Sequence, residues 1–521
     1  MHTTSHSSAK TANMRKVGVR STAIFLVLLL VFGTCGWFAY AAIVHHQTPT
    51  QLITQQGPNT TLTIGSTEAL PSLDIQKDTS TALDQVLLNN VYETLLNRDQ
   101  HNNPVAGIAQ SWQQSDDGLQ YTFQLHNAMQ FASGHTLDAD DVVWSLQQVI
   151  EHQFIGHEQL RNISEVSAPN KHTVHITLSS PNPELAWALT GRAGIVYDSE
   201  SHIDYTKQVA GSGPFTIGNF TAGQPITLTY NAQYWGEKAH IGSIVVKPYA
   251  DAHQAAQDFI AGSLDALIPV DIAQISMLQE QAKKHDFTLQ QGTSAAKVVL
   301  GFNSSPDSLF SDQLLRTAAR QSIDKTALAK TYNGTPLYGP LTTLDPGYED
   351  LSSKFPYDPA SARRRMSFFY LSAVKTLVYP DTFGEQIGHT IADQLHQVGF
   401  NIDVQMVDTQ TWKDRIANNQ FDLTLYELPD AHDYDWYIAN GNPLHFTDAQ
   451  SEELYAKAMQ ATNQQDYAQA LSQYAERLSD VSPVDWLYQD SPWIVWHNKV
   501  QHLPTAMVSQ YLPLRDVNIQ E

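Results

Sequence analysis

Apolar and polar positions along this chain repeat with two different periods, and the changes of period mark out its elements. Thr61-Leu62-Thr63-Ile64 alternates residue by residue, which predicts a strand. Across residues 83–96 the apolar side chains Leu83, Val86, Leu87, Val91 and Leu95 recur at helical spacing, which predicts an amphipathic helix. Alternation returns over residues 119–125 and 173–178. Between them, Thr136-Leu137-Asp138-Ala139-Asp140-Asp141 begins a helix reaching about residue 151. Thr136 or Asp138 can cap it, and its carboxylates suit the positive end of the helix dipole.

Gly211-Ser212-Gly213-Pro214-Phe215 reads as a turn entering a strand. Strands follow at 226–230, 244–248 and 298–303, with helices at 252–261 and 312–332. From Lys375 the pattern runs strand, helix (385–398), strand (402–407), helix (409–418), strand (422–426). Such alternation predicts a mostly parallel α/β sheet. Residues 451–479 read as two helices and 493–500 as a late strand. The sequence has no internal repeat and no low-complexity block.

At 521 residues the chain exceeds what one core normally serves, so two or three domains are expected. Its 42% hydrophobic and 16% charged content is that of a globular protein. The first fifty residues hold Lys10, Arg15, Lys16 and Arg20 and no acid, so the rest is more acidic than the net charge of −23. A body of that charge excludes nucleic-acid binding by phosphate neutralisation.

The apolar run over 22–44 follows those basic residues. It is long enough to span a bilayer with the basic flank inside. Alternatively, 23–38 is the apolar region of a signal peptide and Ala39-Tyr40-Ala41 its cleavage site. Apolar character continuing through Val44 favours the uncleaved anchor. Both readings put the body outside the cytoplasm, attached to the membrane or secreted. Cys35, the sole cysteine, falls inside the run, so the exported part carries no disulfide. Thr34 and Phe32 give poor support to lipidation there.

Several motifs occur in a set order. They are Asn90-Val91-Tyr92-Glu93-Thr94-Leu95-Leu96, Gly134-His135-Thr136-Leu137-Asp138-Ala139-Asp140-Asp141, and the turn at 211–215. Asn231-Ala232-Gln233-Tyr234-Trp235-Gly236, Ala261-Gly262-Ser263-Leu264-Asp265 and Tyr357-Asp358-Pro359-Ala360 follow. This succession resembles the family 5 extracytoplasmic solute-binding proteins, receptors of ABC importers for oligopeptides, dipeptides and nickel chelates. The resemblance implies a two-lobed α/β fold of the type II periplasmic-binding-protein class, with an extra domain inserted in the N-terminal lobe. The implied organisation is a basic segment (1–21), an anchor or signal (22–44) and a linker (45–60). Lobe I would comprise 61–97, 205–296 and 499–521, the inserted domain 98–204, and lobe II 297–498.

The resemblance implies a monomeric receptor that captures a peptide or similar small solute between closing lobes and delivers it to an ABC permease. It implies no catalysis and no cofactor. Asp430 is the positional match to a carboxylate that pairs with a ligand's ammonium, with Asp433 as the fallback. Glu427 stands where the family tends to have Gly, and an acid there would favour cationic ligands or block a carboxylate. Trp412 corresponds to an aromatic residue lying against the ligand. Thr79-Ser80-Thr81 match a first-lobe segment that hydrogen-bonds a peptide backbone. Twenty-one histidines keep a metal-chelate or haem receptor open as an alternative, although their spacing matches no metal motif. A degenerate member binding an envelope partner is a further alternative. No nucleophile elbow or phosphate loop is present.

Overall fold

The computed structural model describes residues 57–369, 373–429, 431–508 and 511–520. The expected basic segment, the apolar run with Cys35, and the tether as far as residue 56 lie outside the described residues. Among the described residues no helix is long and apolar enough to cross a membrane.

Leu62 and Ile64 are buried on the strand Thr61–Ser66, as its alternation predicts. That strand pairs in parallel with Ser243–Pro248 and Ala266–Val270. The full seven-stranded sheet runs Phe287–Gln291, Trp493–His497, Ala266–Val270, Thr61–Ser66, Ser243–Pro248, Ile226–Tyr230 and Phe215–Ile217. With its helices it forms one lobe.

A four-stranded antiparallel sheet forms a third body beside it, from Ala109–Gln114, Gln120–Leu125, Thr173–Leu178 and Ile163–Asn170. The helix Ala139–Glu151 packs there through Val142, Leu146 and Val149. Asp138 caps it: its Oδ1 accepts from the Asp140 amide at 2.9 Å, while Asp141 Oδ2 accepts from the Asp138 amide at 3.0 Å.

The second lobe is a six-stranded sheet, ordered Thr335–Pro336, Val484–Gln489, Lys297–Phe302, Leu423–Leu428, Lys375–Pro380 and Ile402–Val407. It is mixed rather than mostly parallel. Lys375–Pro380 pairs in parallel with both neighbours, but Lys297–Phe302 is antiparallel to both of its own. Parallel pairing is confined to the stretch whose strand–helix–strand alternation requires crossovers.

Two helices differ from expectation. The one expected over 83–96 covers only Thr81–Leu87. Asn89 takes φ 57, and the Asn90 side chain turns inward, its Nδ2 donating to the Leu512 carbonyl at 2.9 Å. Val91 therefore packs into the first lobe's core from a turn, and Leu95 into the core of the four-stranded sheet from the non-helical chain beyond it. The helix expected over 312–332 is two, Gln313–Ser322 and Lys325–Thr331. Ile323 is extended between them, and Asp324 caps the second by accepting from the Ala327 amide at 3.0 Å.

Glu93 explains why the sequence motifs occur together. Its buried carboxylate accepts from Ser212 Oγ at 2.8 Å, Tyr234 OH at 2.7 Å and Trp235 Nε1 at 2.7 Å. One side chain thus joins the 90–96 motif to the turn at 211–215 and the segment 231–236. Gly211 and Gly213 let the backbones meet. A Cβ on Gly211 would lie 1.9 Å from the Val91 carbonyl oxygen, and one on Gly213 2.6 Å from that of Asn90.

The chain crosses between the two large sheets at residues 292–296 and again at 490–492. These crossovers are hydrogen-bonded to each other, the Gly292 amide to the Pro492 carbonyl at 2.7 Å and the Asp490 amide to the Ala296 carbonyl at 2.8 Å. The second return comes at Trp493, ahead of the expected Lys499. Trp493–His497 fills the slot between Phe287–Gln291 and Ala266–Val270.

Candidate functional site

Off the carboxyl ends of the first lobe's strands, where open α/β sheets leave their ligand crevices, a chamber of about 370 Å³ opens between the lobes. Ser66 and Glu68 enter it from the end of Thr61–Ser66, and Val270 from Ala266–Val270. Thr81 and Gln85 face it from the helix Thr81–Leu87. Glu427 and Tyr488 close it from the second lobe, Ser294 and Asp490 from the crossovers, and Trp493 from the start of its strand. Its size is that of a small-molecule site.

The chamber's charge is of one sign. Glu68, Glu427 and Asp490 line it, and among the described residues no Lys, Arg or His does. Glu427 stays open to the chamber while protein crowds its other sides. That crowding, with the nearby charges of Asp490 and Glu68, pushes its pKa up to about 6. Burial likewise raises that of Asp490. Thr81 Oγ1 donates to Glu68 Oε2 at 3.1 Å. Tyr332 and Tyr488, both lining, stack with ring centroids 5.8 Å apart. Acids beside aromatic faces suit a ligand's cationic group.

The candidates from the sequence divide between several places. Thr81 and Glu427 meet in the chamber. Thr79 is exposed on the turn before the helix, and the Ser80 carbonyl accepts from Arg192 Nη2 at 3.0 Å. Neither lines the chamber. Trp412 lies behind the strand Leu423–Leu428, donating from Nε1 to Thr424 Oγ1 at 2.9 Å and meeting Tyr426 edge-on at 5.2 Å. Half-buried, it packs against one of the second lobe's core clusters. Asp430 lies outside the described residues.

Asp433 faces a different chamber, of about 360 Å³, together with Asp84, Arg98, Trp187, Arg192 and His432. Its Oδ1 is 2.6 Å from Nζ of the fully buried Lys297. Glu68, Asp490, Ser294 and Trp493 were not anticipated. The one signal for them is the polar Gln489-Asp490-Ser491-Pro492 set between two apolar strands, since a polar break of that kind marks a crossing between cores. Among the described residues no group of three or more His, Cys, Asp or Glu side chains is placed to hold a metal ion.

Residues 103–447 match the family described as bacterial extracellular solute-binding proteins, family 5. The chain belongs to this family. Among its family 5 relatives, the probable D,D-dipeptide-binding periplasmic protein of Escherichia coli is 22% identical over 421 residues, covering 76% of this chain and 81% of that protein. The oligopeptide-binding protein AppA of Bacillus subtilis is 22% identical over 515 residues, covering 90% and 92% respectively. Among solved structures, the periplasmic binding protein DppA of Helicobacter pylori, in complex with the peptide STSA, superposes with a TM-score of 0.75 at 18% identity. That match covers 90% of this chain and all of the other. The likeness fixes the fold as the two-lobed type II arrangement with an extra domain in the N-terminal lobe. The family is one of extracellular solute binding.

Proposed function

We propose that the protein is the extracytoplasmic receptor of an ABC importer, and that it captures short peptides carrying a positive charge. The observation that carries this reading is the chamber between the lobes, with carboxylates from the first lobe, the second lobe and a crossover and, among the described residues, no cation lining it to balance them. Three acids so placed repel one another as the lobes approach, and an ammonium or guanidinium among them relieves that repulsion. Thr81 and Ser294 offer polar atoms to a peptide backbone, while the tyrosines supply apolar area.

Capture rather than catalysis suits this geometry, because the lobes are joined at the chamber by two short crossovers that can act as hinges. The permease is the natural reader of the closed form, and the segment before residue 57 would hold the receptor at the membrane. The acidic body adds long-range attraction for cations.

Thermal unfolding in the presence of peptides tests the reading. A lysine-containing dipeptide at 100 times its Kd should stabilise the protein by about 2.7 kcal/mol, and an all-acidic dipeptide should not. Lack of stabilisation by any member of a short-peptide pool, with ligand-free protein, would overturn it.

A further inference from the structure

Enclosed acids elsewhere in the molecule are answered by its own side chains. Asp84, Asp265, Asp433 and Asp485 each have a lysine or arginine nitrogen at 2.6–2.7 Å. Asp345 is answered by neutral donors, the Thr342 amide and hydroxyl and the Tyr434 hydroxyl. The acids of the chamber between the lobes are different. Among the described residues no side chain bonds to the carboxylate of Glu427 or Asp490, and Glu68 has the Thr81 hydroxyl alone. Charge gathered in a cavity and left unanswered by the fold is charge that a ligand must answer.

The wall of the chamber says more about that ligand. Val298 pairs with Glu427 on one side and Tyr488 on the other, so these three share one face of the second lobe's sheet, and all line the chamber. Tyr488 stacks in turn on Tyr332, and Val270, Ile275 and Phe383 add apolar area. Carboxylates interleaved with apolar and aromatic surface match a chain of methylenes that ends in ammonium groups. A ligand's own carboxylate, by contrast, has no counterpart. No Lys, Arg or His among the described residues lines the chamber. The Ser66 hydroxyl already donates to the Glu68 carbonyl at 3.2 Å, and the Thr81 hydroxyl to Glu68 Oε2 at 3.1 Å. What remains on both is oxygen lone pairs, which suit N–H donors.

We infer that the chamber's preferred ligands are aliphatic di- and triamines, linear cations that carry no carboxylate of their own. Resting on the capture reading above, this takes the ligand class beyond peptides. An amino acid or dipeptide brings one negative charge among three, and that repulsion offsets part of what its ammonium gains. A diamine brings none and places a cation at each end. The volume of about 370 Å³ suits so slim a ligand, since it lies near the small end of the roughly 300–1,000 Å³ usual for ligand sites.

Calorimetric titration of the ligand-free full chain tests the inference with cadaverine, with L-lysine, which is cadaverine bearing one carboxylate, and with Lys-Ala. Cadaverine should bind at least about tenfold more tightly than lysine. Glu427→Gln and Asp490→Asn, each checked for folding by its melting curve, should weaken cadaverine binding by about tenfold and narrow its lead over lysine. Lysine binding as tightly as cadaverine, or a lead unchanged in both folded variants, would overturn the inference. Binding of Lys-Ala without cadaverine also overturns it and leaves the capture of peptides standing. Binding of cadaverine without Lys-Ala supports it and removes peptides from the reading, and binding of neither removes both.

Discussion

At Glu427, crowding by protein and two neighbouring carboxylates act in the same direction. A carboxyl with its pKa near 6 in the fold and near 4.3 when unfolded keeps its proton more readily in the fold. Its contribution to the stability of the empty protein is therefore full below the unfolded value and is lost as pH rises through about 6. Affinity for a cation runs the opposite way, because ionised Glu427 is the form that attracts it. Calorimetric titration with Lys-Ala at pH 5 and pH 7 should show tighter binding at the higher pH. Glu427→Gln should weaken binding at pH 7 by about tenfold or more and flatten that pH dependence. Glu93 is the contrasting acid. Burial raises its pKa, three donors hold it, and it does not line the chamber. Glu93→Ala leaves those donors unpaired and should cost about 3–5 kcal/mol in urea unfolding.

Among the elements, those with a strong period were legible and those set by side-chain bonds were not. The strand at 61–66, the capped helix from Ala139 and the alternation after Lys375 follow from spacing and caps. The helix ending at Leu87 was not legible, because apolar spacing continues through Val91 and Leu95 while the bonds of the Asn90 side chain hold the backbone in a turn. The site was legible only in part. Glu427 stands out as an acid at the end of an apolar strand, but Glu68 and Asp490 meet it only through the crossing of the two sheets. Asp433, legible as an acid in a loop, is matched by the buried Lys297.

The second lobe hides another such pair. Lys325 Nζ lies 2.6 Å from Asp485 Oδ1 with both side chains buried, and burial lowers the pKa of the lysine and raises that of the aspartate. Lys325→Met should destabilise that lobe by about 3–5 kcal/mol by leaving a buried charge uncompensated. The double variant Lys325→Met/Asp485→Leu should recover much of the loss, as read by differential scanning calorimetry.

For the whole molecule, two lobes are joined at hydrogen-bonded crossovers, and the inserted domain meets the second lobe where His432 stacks on Trp187. The strand Trp493–His497 has a consequence for how such a molecule is made. It enters the first lobe's sheet between Phe287–Gln291 and Ala266–Val270, so that sheet stays incomplete until the chain has passed through the second lobe. The second lobe's strands, from Lys297 to Gln489, arrive in one continuous stretch. The order of synthesis is thus not the order of assembly: the part made first must wait, its sheet interrupted, for the part made last. Pulse-labelling hydrogen exchange during refolding should find amides of Lys297–Phe302 protected before those of Ala266–Val270.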